Sequence, residues 1–370
     1  MEDLSFKNYR GFLIYICLIG VSIFSLSFLK TSEKAADFWV ENLSGPFKLF
    51  VAKLCSFVDL SIAELLFIAF CLFIIVFLVY TVINFFKKNR GEKTGFLVKQ
   101  LSLAVSLAMT VWLLLTALWG INYYSSTFSK KSGINPVSSS VDELASITEY
   151  FAEQVNLYSK RVKRDYSGIF YEDIDLMFSR SLSVYENIEQ RFPFLKSDPI
   201  MPKKVYFSKT LSRLSTTGIT FPLTGEANIN TDVPTLYIPV TIIHEMAHQK
   251  NIASEQDADF IAVISCIESD DDIFRYSGYM YGFRYLSNAL YKVDSDKYFE
   301  VFLSLNQEVL DDYSFNREYW IMYDGKISEM SDNIYDSYLK SQGQDLGIRS
   351  YGEIADLLIA YYRIYPYNVY

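Results

Sequence analysis

A chain of 370 residues is long enough for a membrane part and a globular part together. Its net charge of −9 and pI of about 5.0 exclude a nucleic-acid binder that works through a basic surface. Hydrophobic residues make up 51% and the mean hydropathy is +0.13, which directs attention first to apolar runs.

The run GFLIYICLIGVSIFSLSFL (11–29) carries no charge. At about 1.5 Å per helical residue it can cross a hydrocarbon core roughly 30 Å thick. A signal peptide is the rival reading, but the apolar core is too long and no small-x-small cleavage site follows in KTSEKAADFW. A second run spans 60–86, with Glu64 near its start, and a third spans 97–120, charge-free after Lys99. The connection between them holds Lys87, Lys88, Arg90, Lys93 and Lys99, and the N-terminus adds Lys7 and Arg10. Charges in the 30–59 connection are more dilute and mixed with acids. The positive-inside rule then predicts a multi-pass cell-membrane protein with the N-terminus and the 87–99 loop inside and everything after residue 120 outside. Lys130 and Lys131, just beyond the third run, pull mildly the other way.

The expected organisation is a membrane domain over 1–120, a Ser/Gly/Pro-rich tether over 121–140 and an extracytoplasmic domain over 141–370. Apolar residues at Leu144, Ile147, Phe151 and Val155 predict an amphipathic helix. KVYFS, GITFPLTGEANIN and TLYIPV read as short strands, and 273–365 reads as mostly helical and rich in tyrosine. The fold class is thus α+β, mainly helical. The four cysteines form no CxxC pair and read as inert fillers.

Both histidines of the chain fall in PVTIIHEMAHQ (239–249), four residues apart. On a helix, with Pro239 in its first turn, His244 and His248 lie about 40° apart and one turn along, within reach of one metal ion. Glu245 lies beside that position, where a general base for a metal-activated water belongs. Histidines four apart are also often plain helix neighbours, yet here the chain's whole histidine content is spent on this spacing.

A peptidase-type site needs a third protein ligand. Asn251 suits a left-handed turn, Ser254 a new N-cap, and Glu255 would stand in the first turn of the next helix. Spacing alone leaves two readings of Glu255, a ligand or an acid that favours the helix dipole. Asp259, on the same face, can hold the far nitrogen of a ligating histidine or be a solvated acid. ESDDD (268–272) reads as an exposed acidic helix end.

HEMAHQ followed by SEQDADF resembles the HExxH…ExxAD arrangement of membrane-bound gluzincin-type metallopeptidases. The nearest likeness is to the bacterial DUF3810 family of predicted membrane zinc peptidases, and it extends to WGINYYS (119–125), TGEANIN (224–230), YSGYMYGFRYLSNALY (276–291) and 338–363. The resemblance implies a zincin-like domain with one zinc ion per chain held by His244, His248 and Glu255, Glu245 as base and Asp259 behind the ligands. Asp257, where many relatives have Glu, departs from the pattern at a non-ligand position.

The expected function is zinc-dependent hydrolysis of peptide bonds in a peptide or protein substrate, by a chain seated in the lipid bilayer. Either TGEANIN or TLYIP could offer a strand edge to an extended peptide, and Tyr281, Tyr285 or Arg284 an oxyanion donor. Three alternatives stand beside it. Intramembrane proteolysis conflicts with the charges at Glu245, Lys250, Glu255, Asp257, Asp259 and Glu268. A non-proteolytic zinc-binding sensor or receptor would need a fourth protein ligand, with Cys266 the available thiol. A zinc amidase acting on cell-wall peptide would use the same chemistry.

Overall fold

The apolar runs fold as the longest helices. In a computed structural model of the protein, α1 (Phe6–Leu29), α4 (Ile62–Lys87) and α5 (Arg90–Leu115) are long and apolar enough to cross a membrane. Their large side chains point away from protein, as at Phe24, Leu72, Val76 and Leu101. That is the inverse of a soluble core and the pattern apolar surface takes when lipid is its solvent. The structure describes residues 6–136, 138–344 and 354–366. The side chains of Lys7 and Arg10, and residues 345–353 within the family string at 338–363, lie outside the described residues. The basic connection is shorter than its charges suggest, because Lys87 ends α4 and Lys93 and Lys99 already belong to α5.

The chain divides into two compact units. The first comprises residues 1–51, 62–125 and 222–224. After α1 come α2 (Glu33–Trp39), a π turn (Val40–Ser44) and α3 (Gly45–Cys55), whose residues from 52 on belong to the second unit. Leu26, Ala36, Val40 and Ile121 form the small core of the first unit, and the Trp39 indole donates to the Ala117 carbonyl at 2.7 Å.

The second unit comprises residues 52–61, 126–221 and 225–370. Its helices are α6 (Phe128–Ser132), α7 (Val141–Ser159), α8 (Ile174–Ser181), α9 (Glu186–Arg191), α10 (Ser208–Arg213), α11 (Ile238–Gln249), α12 (Glu255–Glu268), α13 (Asp272–Val293), α14 (Ser295–Leu303), α15 (Gln307–Tyr323), α16 (Lys326–Ser341) and α17 (Ile354–Ile364). From Ala258 to Cys266 α12 is apolar on nearly every side, and it is buried on every side, at the centre of the unit. α13 reaches it through Gly278 and approaches α7 through Gly282, where side chains would keep the helices apart.

The three described strands are β1 (Lys203–Lys204), β2 (Gly218–Phe221) and β3 (Glu226–Ile229), in the order β1-β3-β2. β2 and β3 form an antiparallel hairpin and β1 pairs with β3 in parallel. TLYIPV is not a strand: Thr235–Tyr237 make a 3-10 turn and α11 begins at Ile238. Pro234 and Pro239 explain it, since neither donates to a ladder and the second sits in a helix's first turn. The stretch read as a tether carries α6 and buries Phe128 and Ile134. Phe128 packs against Phe192 and Phe260, with ring centroids 5.2 and 5.5 Å away.

Candidate metal centre

α11 carries His244 and His248 on one face, with ring centroids 4.7 Å apart. The chain then reverses at Asn251, whose φ of 70° is the left-handed turn its side chain suits. Ser254 caps α12 by accepting from the Asp257 amide at 3.3 Å, which sets Glu255 as the first residue of that helix. These local signals bring Glu255 back against α11. Its Oε2 lies 3.3 Å from His244 Nε2 and its Oε1 lies 3.5 Å from His248 Nε2.

The three residues offer donor atoms all within 4.8 Å of one another. Two donors held at roughly 2.0–2.1 Å around a tetrahedral ion stand about 3.4 Å apart. Each observed separation is of that size, one to each carboxylate oxygen. The nitrogens behind the pair both have a close oxygen neighbour. His248 Nδ1 is 2.6 Å from the Ile252 carbonyl, which can only accept, so the proton sits on Nδ1 and Nε2 faces Glu255. His244 Nδ1 lies 2.6 Å from Asp259 Oδ1, a close charge contact that is off the hydrogen-bonding direction. Asp259 is buried and accepts from Tyr281 at 3.1 Å and Tyr285 at 2.8 Å. Arg284 donates to the Tyr285 hydroxyl and stacks over the Tyr281 ring. Two imidazoles and a carboxylate so placed could hold a metal ion.

Glu245 is buried beside the pair. Thr220 Oγ1 on β2 lies 2.8 Å from its Oε2 and 2.9 Å from its carbonyl oxygen. A Cβ at Gly218 would fall 2.7 Å from Glu245 Cγ and Oε1, so this strand passes against the carboxylate.

Burial pulls the His244 pKa down, but Asp259 and Glu255 outweigh it and hold it well above the ordinary imidazole value. His248 is raised too, its burial likewise outweighed, mainly by Glu255. Burial would raise Glu255, yet the two imidazoles hold it well below the usual carboxylate range. Glu245 is raised by burial, with the imidazoles and Thr220 pulling against the shift.

Several expectations change. Tyr281 and Tyr285 donate to Asp259, and Arg284 donates to the Tyr285 hydroxyl, so the three side chains are engaged with Asp259 and with one another. TGEANIN holds the central strand β3, already paired on both sides, and TLYIP is helical, so the edge beside Glu245 belongs to β2. ESDDD is spent locally: Glu268 pairs with Arg191 at 3.1 Å and Asp271 caps α13. Cys266 stands eleven residues along α12 from Glu255, about 16 Å by helical rise, against Gly278. It cannot complete the ligand set. Thr220 of β2, which donates to Glu245, is not marked by the sequence, and neither is Tyr335 of α16, whose hydroxyl donates to Glu255 Oε1. Tyr335 lies 80 residues from its partner and is one of 29 tyrosines, so no local pattern marks it.

A mainly helical chain with three membrane-length helices and a buried His-His-Glu cluster defines the class. The chain belongs to the DUF3810 family, described as "Protein of unknown function", whose sequence model matches residues 41–359. No curated protein and no solved structure matches it.

Proposed function

We propose that the chain is a membrane-anchored zinc-dependent metallopeptidase, with a zincin-like outer domain that hydrolyses peptide bonds. The observation that carries this reading is the set of donor atoms from His244, His248 and Glu255 within 4.8 Å of one another, with Nε2–carboxylate separations of 3.3 and 3.5 Å. His244, His248 and Glu255 would hold the ion. When bound, zinc supplies Lewis acidity, acidifying a coordinated water toward a pKa of about 7 and polarising a carbonyl.

Glu245 receives a proton at its carboxylate, which Thr220 keeps from swinging. Its raised affinity for protons, set by burial, suits that task. β2 is an edge strand, and Ile219 is exposed between the two residues that touch Glu245. An extended peptide pairing along that edge would pass the base. The strand pairing supplies main-chain recognition without naming a side-chain preference.

Two features support an outward-facing second unit. The 87–99 segment carries the basic cluster expected inside. Residues 52–61 and 126–221 share one unit although α4 and α5 intervene, as two complete crossings require.

Full-length protein purified in detergent is expected to carry about one zinc per chain. Glu255→Ala should lose the ion, whereas Glu245→Gln should keep it and lose cleavage of a quenched fluorescent peptide library. Metal-free wild type, or full activity in Glu245→Gln, would overturn the proposal.

A further inference from the structure

Lys203 of β1 is a buried lysine with every donor spent. Its ammonium lies 2.6 Å from Glu226 Oε1 of β3, 2.7 Å from the Cys55 carbonyl and 2.9 Å from the Leu60 carbonyl. An ammonium has three N–H groups, so these contacts satisfy it. Both carbonyls belong to the segment 52–61, which runs directly into α4. A buried charge of this kind is costly unless all its partners are present, and two of them come from that segment. Ser61, the last residue before α4, is buried as well and donates to Asn228 Oδ1 at 2.5 Å.

Asn228 passes the connection on. Its amide donates to the Ile219 carbonyl at 3.2 Å and to the Glu226 carbonyl at 2.9 Å. Ile219 stands between Gly218 and Thr220, the two residues of β2 in contact with Glu245. A hydrogen-bonded path therefore runs from Ser61 through β3 and β2 to the carboxylate of Glu245.

We propose that residues 52–61 are a working part of the reactive site, a strap clasped by Lys203, Glu226 and Asn228 that sets where β2 holds Glu245. Lys203 is a positioning residue, and the outer domain cut free at residue 120 lacks an element of its own site. The assignment of Glu245 as base rests on the peptidase reading; the strap itself does not.

The test uses full-length protein in lipid nanodiscs, loaded with cobalt in place of zinc. The Lys203→Met/Glu226→Gln double variant removes the buried pair as a unit, so neither charge is stranded. Ser61→Ala removes the second clasp without burying a charge and carries the test if the double variant does not fold. Amide exchange at 218–221 should rise tenfold or more in both, while α7 exchanges as in wild type. At unchanged cobalt content the visible bands should move in the direction that Glu245→Gln moves them. Unchanged exchange at 218–221 would overturn the strap. Faster exchange with a wild-type cobalt spectrum would reduce the segment to a structural tie and overturn its positioning role. A wild type that binds no cobalt refutes the peptidase reading, and the exchange result alone then decides whether the strap holds β2.

Discussion

Asp259 Oδ1 lies 2.6 Å from His244 Nδ1, on the side of the imidazole away from the nitrogen that faces Glu255. Partners behind ligating histidines fix the tautomer and raise ligand basicity. Asp259→Asn keeps the shape but removes the charge and one of the two oxygens that accept from Tyr281 and Tyr285. Zinc affinity, measured by competition with a chromogenic chelator, should fall by 10- to 100-fold. Unchanged affinity would show that His244 needs no support from behind.

Tyr335 reaches Glu255 from a helix with little else buried; on α16 only Ser328 and Leu339 are. A hydrogen bond to a charged group is worth roughly 1.5–3 kcal/mol. Tyr335→Phe should therefore loosen the carboxylate and weaken zinc binding by about tenfold or more. The same titration reads it, and wild-type affinity would remove Tyr335 from the centre.

The parts of the site that were legible in the sequence are those set by neighbours along the chain. The His–Glu–His spacing, the turn at Asn251 and the cap at Ser254 are local, and together they carry Glu255 into place. Tyr335 was not legible, because its role depends on where a distant helix returns. The strap was hidden for a different reason. Lys203 binds the backbone carbonyls of Cys55 and Leu60, which every residue possesses, so no side-chain pattern announces it. TLYIPV misled because aromatic and β-branched content suggests a strand while its prolines dictate a turn and a helix start.

Gly218 is required by space. A Cβ there would stand 2.7 Å from two atoms of Glu245, which would have to move. Gly218→Ala should keep its zinc and lose at least tenfold in kcat, since a misplacement of about 1 Å costs on that order. Metal analysis and peptide cleavage on one sample separate the two effects. Full activity would mean that Glu245 has room to shift without consequence.

Gly282 makes the corresponding argument for stability. A Cβ would fall 2.4 Å from Phe151 Cε1, where α13 crosses α7. Overpacking a core costs about 1–3 kcal/mol, against roughly 1 kcal/mol returned by the better helix propensity of alanine. Gly282→Ala should thus destabilise the second unit by about 1 kcal/mol or more in denaturant unfolding. A stabilised variant would mean that the two helices part easily.

The coupled site also predicts opposite pH trends with and without metal. The folded pKa of His244 is raised above its ordinary 6.5, so its contribution to stability is complete below that value and is lost as pH climbs through the raised one. Glu255 is depressed below its ordinary 4.5, so its contribution is complete above that value and is lost as pH falls through the depressed one. Metal-free protein should therefore melt highest between these ordinary values and progressively lower on the alkaline side. Zinc competes with protons for the same imidazole nitrogens, so its affinity rises with pH across the range where the metal-free protein weakens. Melting curves with chelator and with excess zinc, taken from pH 6 to 9, should diverge as pH rises. Parallel curves would mean that zinc does not bind at these imidazoles, and a chelated sample that gains stability with pH would contradict the ion-paired histidine.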